Sequence, residues 1–495
     1  MKFVRRHDLD TKTRIDIALA AYLSQGIYGS ITSLAQAYKT SRLFVYQLLW
    51  VLSIVLKEEF EVPTPEPRVQ NYLPLDKAIL LLRLEGKCSI QNISSILQYS
   101  GYPHHSVGYI SQRLSFYAAR LKNTLNTGDT IKLAIFLSDE IFSGSQPILI
   151  TIEPKSTAIL SIELASKRDA ASWKKHFLTL ESNGYFCLYL VSDKAKGLTS
   201  GFNEACPQTE WQSDNFHEIR DITHPLFALE KKAYAAMEKE YRKEKVLESA
   251  RSDKVINKRI CQYELARQEA KIYIDLYDQY FYLCWCLKEL FELFDDKGNL
   301  KPFSYLYDEI EAIFELMLSI NYSPIKEEAE SMKTRKDSLF VYFKMAEQIL
   351  KELSPSIDNP EAVQALCLAW QYQHLSFQAK STKQRHSLLK ERDFCLSYTE
   401  ALLEDNYQQS KELLFSNLDN VIRSSSLIET INSLIRPYLN SCKGNITQEA
   451  LNLIMFYHNH RRFVDGKRKG KAPIEILTGK KLKQHWVDLL ADQLS

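Results

Sequence analysis

The stretch IKLAIFLSDE, residues 131–140, decides how the rest of the chain is interpreted. It begins as a run of apolar and β-favouring residues, Ile131–Leu137, and ends in the polar Ser138, Asp139 and Glu140. Such a run predicts a β-strand that delivers an acidic side chain at its end. Further strand patterns cover Pro147–Glu153, Thr157–Ala165 and Phe186–Val191, and a helical pattern covers Ala170–Glu181.

The order of these elements predicts a fold. The short connections between the first three strands favour an antiparallel meander, and a helix then leads to the fourth strand. An RNase H-like core has this order of three strands, a helix and a further strand. In such a core the first and fourth strands are neighbours. Asp193 follows the fourth strand in the stretch SDKAKGL, residues 192–198, so we expect Asp139 and Asp193 to lie together.

A third acidic residue comes from the stretch RSSSLIETINSLIR, residues 423–436, which reads as the start of a helix with serines at its N-terminus. Helical spacing predicts an apolar face formed by Leu427, Ile431, Leu434 and Ile435. It predicts a separate polar face formed by Glu429, Asn432 and Arg436. Two aspartates and this glutamate could hold two Mg²⁺ ions for phosphoryl transfer. Each carboxylate alone could equally be a turn cap or a solvated surface group, since the chain has 61 acidic residues.

Length and composition set broad limits. A chain of 495 residues predicts several domains. A formal net charge of +2 gives no global attraction to nucleic acid, so binding has to come from local patches. The nine cysteines form no C-x-x-C pair, and no run of about 18 apolar residues predicts a membrane span. We therefore expect a cytoplasmic protein with free thiols and no membrane contact.

The N-terminal 60 residues have a helix-turn-helix pattern, with the small Ala35, a turn and the apolar Val45. The helix after the turn would enter the major groove of DNA, where Arg42 and Gln47 could contact bases and Tyr46 a phosphate. An ordinary three-helix bundle is the alternative. A proline-rich linker is predicted at residues 61–74.

Two further helical regions are predicted. Residues 75–125 could form a second helix-turn-helix-like domain or, alternatively, a helical bundle that packs on the next domain. Residues 225–415 contain a single glycine, Gly298, which predicts a long all-α segment. Its aromatic stretch, residues 273–294, favours core packing over stacking on flipped bases.

Several segments together resemble bacterial insertion-sequence transposases of the DDE type. They include SDEIF (138–142), PILITIEPKS (147–156), SDKAKGL (192–198), FHEIR (216–220) and the stretch around Glu429. The resemblance implies that Asp139, Asp193 and Glu429 bind two Mg²⁺ ions, for which Mn²⁺ could substitute, and catalyse DNA cleavage and strand transfer. It also implies double-stranded DNA partners at the element ends and target, a homodimer or higher homo-oligomer, and association with the nucleoid. Asn432 and Arg436 could steady Glu429 or contact the DNA backbone. Glu140, as the neighbour of Asp139, should point elsewhere and make a contact that supports the site.

The segments near the C-terminus resemble the basic end of the same catalytic domain and predict contacts with DNA phosphates. The candidate DNA-binding residues are His460, Arg461, Arg462, Lys467, Arg468, Lys469 and Lys471.

The spacing of the carboxylates departs from compact members of this group, because more than two hundred residues separate Asp193 from Glu429. We therefore predict a mainly α protein in which the catalytic core, residues 126–224 and 416–495, is interrupted by a helical insertion at 225–415. Two other functions stay open at this point. One is a transposase-derived DNA-binding regulator without catalysis, and the other is a stand-alone RNase H-like nuclease.

Overall fold

The structure is a computed structural model that describes residues 8–60, 73–126, 128, 131–357 and 359–492. The chain divides into two compact units, residues 1–73 and 74–495. Most of the linker predicted at 61–74 lies outside the described residues.

The N-terminal unit is built from three helices, α1 (Thr11–Leu23), α2 (Ser30–Ala37) and α3 (Arg42–Phe60). Asp10 caps α1 by accepting a hydrogen bond from the backbone N–H of Thr13 at 2.8 Å. Ala35 and Val45 are buried in its core, as expected for two helices that cross closely at a turn. The turn contains Lys39 at φ 47°.

The second unit begins with helices α4 (Leu75–Leu84), α5 (Ile90–Tyr99) and α6 (Val107–Ala118). The β region follows, and the structure assigns to it β1 (Lys132–Ser143), β2 (Gln146–Glu153), β3 (Ala158–Leu164), α7 (Ala170–Ser182), β4 (Tyr185–Ser192), α8 (Lys196–Ala205) and β5 (Glu210–Ser213). The strand order is β3-β2-β1-β4-β5, with β1 parallel to β4 and antiparallel to β2. The predicted order of elements and the pairing of the first and fourth strands are confirmed.

One boundary was wrong in a way that affects the site. We predicted that the first strand ends at Leu137 and that Asp139 follows it. The hairpin with β2 keeps β1 extended to Ser143, which pairs with Gln146. Asp139 therefore lies within the strand, opposite Ile150.

The segment between β5 and the last part of the core is all-α. It comprises α9 (Asn215–Glu248), α10 (Asp253–Leu290), α11 (Phe303–Ser319), α12 (Ser323–Lys333), α13 (Val341–Leu353), α14 (Pro360–Gln378), α15 (Thr382–Leu403) and α16 (Tyr407–Leu418). These helices share a hydrophobic core of their own. In the aromatic stretch of this segment, residues 273–294, the side chains of Tyr280, Phe291 and Phe294 are buried. Those of Tyr282 and Trp285 are exposed.

The chain then returns to the sheet through α17 (Ser426–Ser441), α18 (Gln448–His460), α19 (Pro473–Thr478) and α20 (Trp486–Asp492). Alternate residues of β1 point to opposite faces of the sheet. Leu137 belongs to the core shared with α17 and α18, and Phe136 belongs to the core shared with α7. Helices α4, α5 and α6 contribute to the same core as α17, so residues 75–118 pack on the sheet. Within the described ranges, no helix combines the length and apolar character needed to cross a membrane.

The contact between α7 and α8 depends on glycine. A Cβ atom on Gly197 would lie 2.2 Å from the carbonyl oxygen of Arg168, so the two backbones approach too closely for any side chain. We expect Gly197→Ala to lower the free energy of unfolding by about 1–3 kcal/mol because the backbone has to move. Gly108→Ala is the matched control, since its Cβ would meet no atom within 4 Å and should change stability by less than about 1 kcal/mol. Equal denaturation midpoints for the two variants would contradict this close approach.

Candidate active site

The register of β1 and β4 positions the two aspartates. Leu137 of β1 pairs with Val191 of β4, and both side chains belong to the core under α17. Asp139 lies two residues after Leu137, and Asp193 lies two residues after Val191. Since side chains alternate along a strand, Asp139 projects from the same face as Leu137. The sheet therefore brings Asp139 to the point where β4 ends and Asp193 follows.

Asp139 is held in a defined orientation. Its Oδ1 accepts a hydrogen bond from the backbone N–H of Glu140 at 2.8 Å, and its Oδ2 accepts one from Nδ2 of Asn432 at 2.7 Å. Burial raises the pKa of Asp139 to about 6, and the negative charges of Asp193 and Glu140 act in the same direction. A carboxylate whose ionisation is opposed by a neighbouring carboxylate is favourable for cation binding, because a cation removes that repulsion.

Asp193 begins the turn that leads into α8. Its Oδ1 accepts a hydrogen bond from the backbone N–H of Ala195 at 3.1 Å. The next residue, Lys194, forms an ion pair with Asp221 at 2.9 Å. The lysine beside the candidate catalytic aspartate is thus engaged by a carboxylate on α9.

Helix α17 packs against β1 beside Asp139 with one buried face. Ile428, Ile431 and Ile435 are buried, and Asn432 lies beside them with only 3% of its surface exposed. The buried amide donates to Asp139, and its Oδ1 has no hydrogen-bond partner among the described residues. An unpartnered buried acceptor next to a carboxylate is costly unless a ligand or water completes the site.

The predicted faces of α17 need two corrections. Leu434, predicted to face the core, is 38% exposed, because Ile428 takes part in the core instead. Asn432 was expected to steady Glu429 or to contact DNA, but it contacts Asp139. Arg436 is exposed.

Glu429 lies in the first turn of α17, and half of its side chain is exposed. Its Oε1 is 3.6 Å from Nε2 of His217, a residue of α9. Nδ1 of His217 lies 2.6 Å from Oδ2 of Asp214. The hydrogen bond to Asp214 raises the pKa of His217, so the ring is more readily protonated and can attract Glu429.

Asp214 forms hydrogen bonds with three parts of the site. Its side chain caps α9 through the N–H of Phe216 and also accepts hydrogen bonds from the backbone N–H and the hydroxyl of Ser425, the residue before α17. Its backbone N–H donates to the carbonyl of Ser192 at the end of β4. Burial alone would raise the pKa of Asp214, but the hydrogen bonds from His217 and Ser425 lower it below its usual value. The starts of α9 and α17 are therefore fixed against the end of β4.

The three candidate catalytic carboxylates are not all in contact. Among the described residues, no group of three or more His, Cys, Asp or Glu side chains stands close enough to hold a metal ion. The structure brings Asp139 and Asp193 together and places Glu429 against His217. Glu429 is three residues before Asn432, which contacts Asp139. The two positions are therefore separated by about 4.5 Å along the helix axis.

Glu140 turns away from Asp139. Its Oε1 accepts a hydrogen bond from Nη1 of Arg168 at 2.8 Å, and its side chain is 11% exposed. The guanidinium of Arg168 also stands over the ring of Phe142. Glu140 thus anchors the loop before α7.

The predicted basic tail is a folded segment in which several cations are already engaged. Arg461 pairs with Glu85, Arg462 with Glu475 and Lys467 with Asp419. Arg468 donates to the carbonyls of Pro154 and Lys155. His460 stacks on Phe456, and its Nδ1 donates a hydrogen bond to the carbonyl oxygen of that residue. Burial lowers the pKa of His460. Lys469 and Lys471 are exposed.

In the N-terminal unit, α3 presents the residues that we predicted to contact DNA. Arg42 is exposed, Tyr46 is 50% exposed and Gln47 is half-buried. Val45, between them, fills the core.

Sequence reasoning did not assign Asp214 and His217 to the site. The signal was present, because His217 belongs to the stretch FHEIR and Asp214 is three residues before it at the start of a helix. Asp214 was not assigned to the site because strand β5, which ends at Ser213 immediately before it, was not predicted.

Part of the chain is similar to a known protein family. Residues 129–269 match the family model described as transposase, Mutator family. This match confirms the resemblance to a transposase, and a DDE-type enzyme is consistent with it.

The matched region contains Asp139, Asp193, Asp214 and His217 and stops before Glu429. The Drosophila P element transposase strand transfer complex is similar at 12% sequence identity and a TM-score of 0.31, with 72% of this chain and 99% of that chain covered. No curated protein matches the sequence.

Proposed function

We propose that this protein is a DNA transposase that cleaves and joins DNA with Asp139, Asp193 and Glu429. The observation that carries the proposal is the parallel pairing of β1 with β4, which sets Asp139 beside the end of the strand that delivers Asp193. The match of residues 129–269 to Mutator-family transposases supports the same function.

The chemistry of the donor set fits Mg²⁺. Carboxylate oxygens are the ligands that Mg²⁺ prefers, and a few suffice because water and phosphate complete its shell. The repulsion between Asp139 and Asp193 and the unpartnered Oδ1 of Asn432 are both features that a bound cation would relieve. When bound, two such ions supply an activated nucleophile and stabilise the leaving oxygen of an in-line displacement.

The residues of the chain then have separate tasks. Asp139 and Asp193 would hold the ions at the sheet, and Asn432 keeps Asp139 oriented. Glu429 completes the site from α17, and a rotation of its half-exposed side chain is enough to release it from His217. Asp214 and His217 keep the start of α17 against the sheet throughout.

The proposal includes double-stranded DNA as substrate and more than one copy of the chain, because two DNA ends have to be joined. Arg42, Tyr46 and Gln47 on α3, and the exposed Lys469 and Lys471, are the proposed contacts to that DNA.

Metal binding tests the proposal without any need for activity. We expect Mg²⁺ or Mn²⁺ to stabilise the protein, by about 1.4 kcal/mol at ten times the dissociation constant. Thermal unfolding with and without the ion measures this change. Asp139→Asn should abolish it, and Asp278→Asn, which alters an exposed aspartate of α10, should leave it intact. Equal stabilisation of wild type and Asp139→Asn would contradict the proposed metal site.

A further inference from the structure

Helix α15 of the insertion carries an exposed basic surface. The stretch KSTKQRHSLLK, residues 380–390, contains four Lys or Arg residues and His386 but neither Asp nor Glu. We define the basic surface of α15 as Lys380, Lys383, His386 and Lys390, all of which are exposed. The acidic residues of this helix begin only at Glu391.

These side chains share one side of the helix. Lys383, His386 and Lys390 are spaced three and four residues apart, which places them in a row, and Lys380 precedes the helix. The row spans about 10 Å at 1.5 Å per residue. Phosphates of one DNA strand repeat every 3.4 Å along the duplex axis, so about three fall within this length.

The lysines of this surface also differ in their contacts from Arg461, Arg462 and Lys467 of the C-terminal tail. Within the described ranges, Lys380, Lys383 and Lys390 take part in no ion pair, whereas Arg461, Arg462 and Lys467 each pair with a carboxylate. Cations without a protein partner are the ones whose charge is available to a ligand. Helix α15 thus presents lysines whose charge is not neutralised by a carboxylate of the described residues.

We propose that the basic surface of α15 binds the phosphate backbone of duplex DNA at a position distinct from Asp139 and Asp193. A row of exposed lysines suits a polyanion with regular charge spacing. A membrane is less suitable, because the apolar residues of this stretch, Leu388 and Leu389, are half-buried and cannot insert. Lysine contacts to phosphate carry no sequence information, so this surface positions DNA and does not select it.

This proposal deepens the proposed function, because it rests on DNA as the substrate. Its test measures binding of the full chain to a 40-base-pair duplex of arbitrary sequence over a series of salt concentrations. Replacing Lys380, Lys383 and Lys390 by Gln removes three phosphate contacts. The slope of log K against log salt should therefore fall by about 2–3.

Two control variants isolate the effect of position and charge. Lys239, Lys245 and Lys351 each pair with a glutamate, and their replacement by Gln removes the same charge from elsewhere in the insertion. This control should leave the slope nearly unchanged. Replacing Lys380, Lys383 and Lys390 by Arg should preserve the slope, which excludes loss of folding as the cause.

An unchanged slope in the Gln variant would overturn the proposal, as would a wild-type chain that fails to bind the duplex at 50 mM salt. Polyglutamate serves as a second probe, since a variant that loses polyglutamate binding but keeps its DNA slope would assign the surface to an acidic protein. The measurement involves no catalysis. A chain that binds DNA through α15 but does not cleave it would contradict the proposed function and leave this surface in place.

Discussion

Asp193→Asn should reduce DNA cleavage and strand joining by about 10³-fold or more while leaving DNA binding within about twofold of wild type. The substitution keeps the shape of the side chain, and the amide oxygen can still accept the hydrogen bond from the N–H of Ala195 that forms the turn into α8. It removes the negative charge that faces Asp139. The expected loss therefore comes from the chemistry and not from the fold.

Cleavage and joining of labelled end DNA, together with a binding assay on the same DNA, separate these effects. Asp278→Asn is the matched control and should behave as wild type. If Asp193→Asn still cleaves DNA, Asp193 is not a catalytic ligand. If it loses binding as well, its role is structural.

Arg335→Met should lower the free energy of unfolding by about 3–5 kcal/mol. Arg335 donates to both oxygens of Glu218, at 3.1 Å and 2.9 Å, and the glutamate side chain is only 4% exposed. Removing the guanidinium leaves a buried carboxylate whose other partner is the hydroxyl of Ser213. An unpaired buried charge costs far more than the pair contributes when intact.

This ion pair also connects the insertion to the candidate site, because Glu218 is the residue after His217 in α9. We therefore expect Arg335→Met to weaken activity beyond its effect on stability. Arg242→Met is the control, since Arg242 pairs with Glu238 on the exposed surface and should cost less than about 1 kcal/mol. Similar chemical denaturation curves for the two variants would show that the buried pair does not anchor the insertion.

Most strands of the sheet could be predicted because each is marked by a short stretch of its own sequence. Short apolar runs mark β1 to β4, and the parallel pairing of β1 with β4 was expected from the order of the elements. The end of β1 was mispredicted because Ser138, Asp139 and Glu140 are polar, while the hairpin with β2 keeps them extended. Strand β5 was missed because its four residues, EWQS, are too few to form a pattern.

The contacts that assemble the site were not predictable from local sequence. Glu218 and Arg335 are 117 residues apart, and Asn432 and Asp139 are 293 residues apart. Scarcity of glycine predicted that the insertion is helical, but not that Gln212 of β5 accepts a hydrogen bond from the N–H of Tyr342. Composition identified the basic tail, but only the structure shows that Arg462 is already bound to Glu475.

The most direct test of the central claim is a crystal structure of the protein with end DNA and Mn²⁺, in which anomalous scattering locates the metal. We expect an anomalous peak between Asp139 and Asp193, with Glu429 turned from His217 to complete the coordination. A metal bound elsewhere, or a Glu429 that stays against His217 while DNA occupies the site, would contradict the assignment of these three carboxylates to one active site.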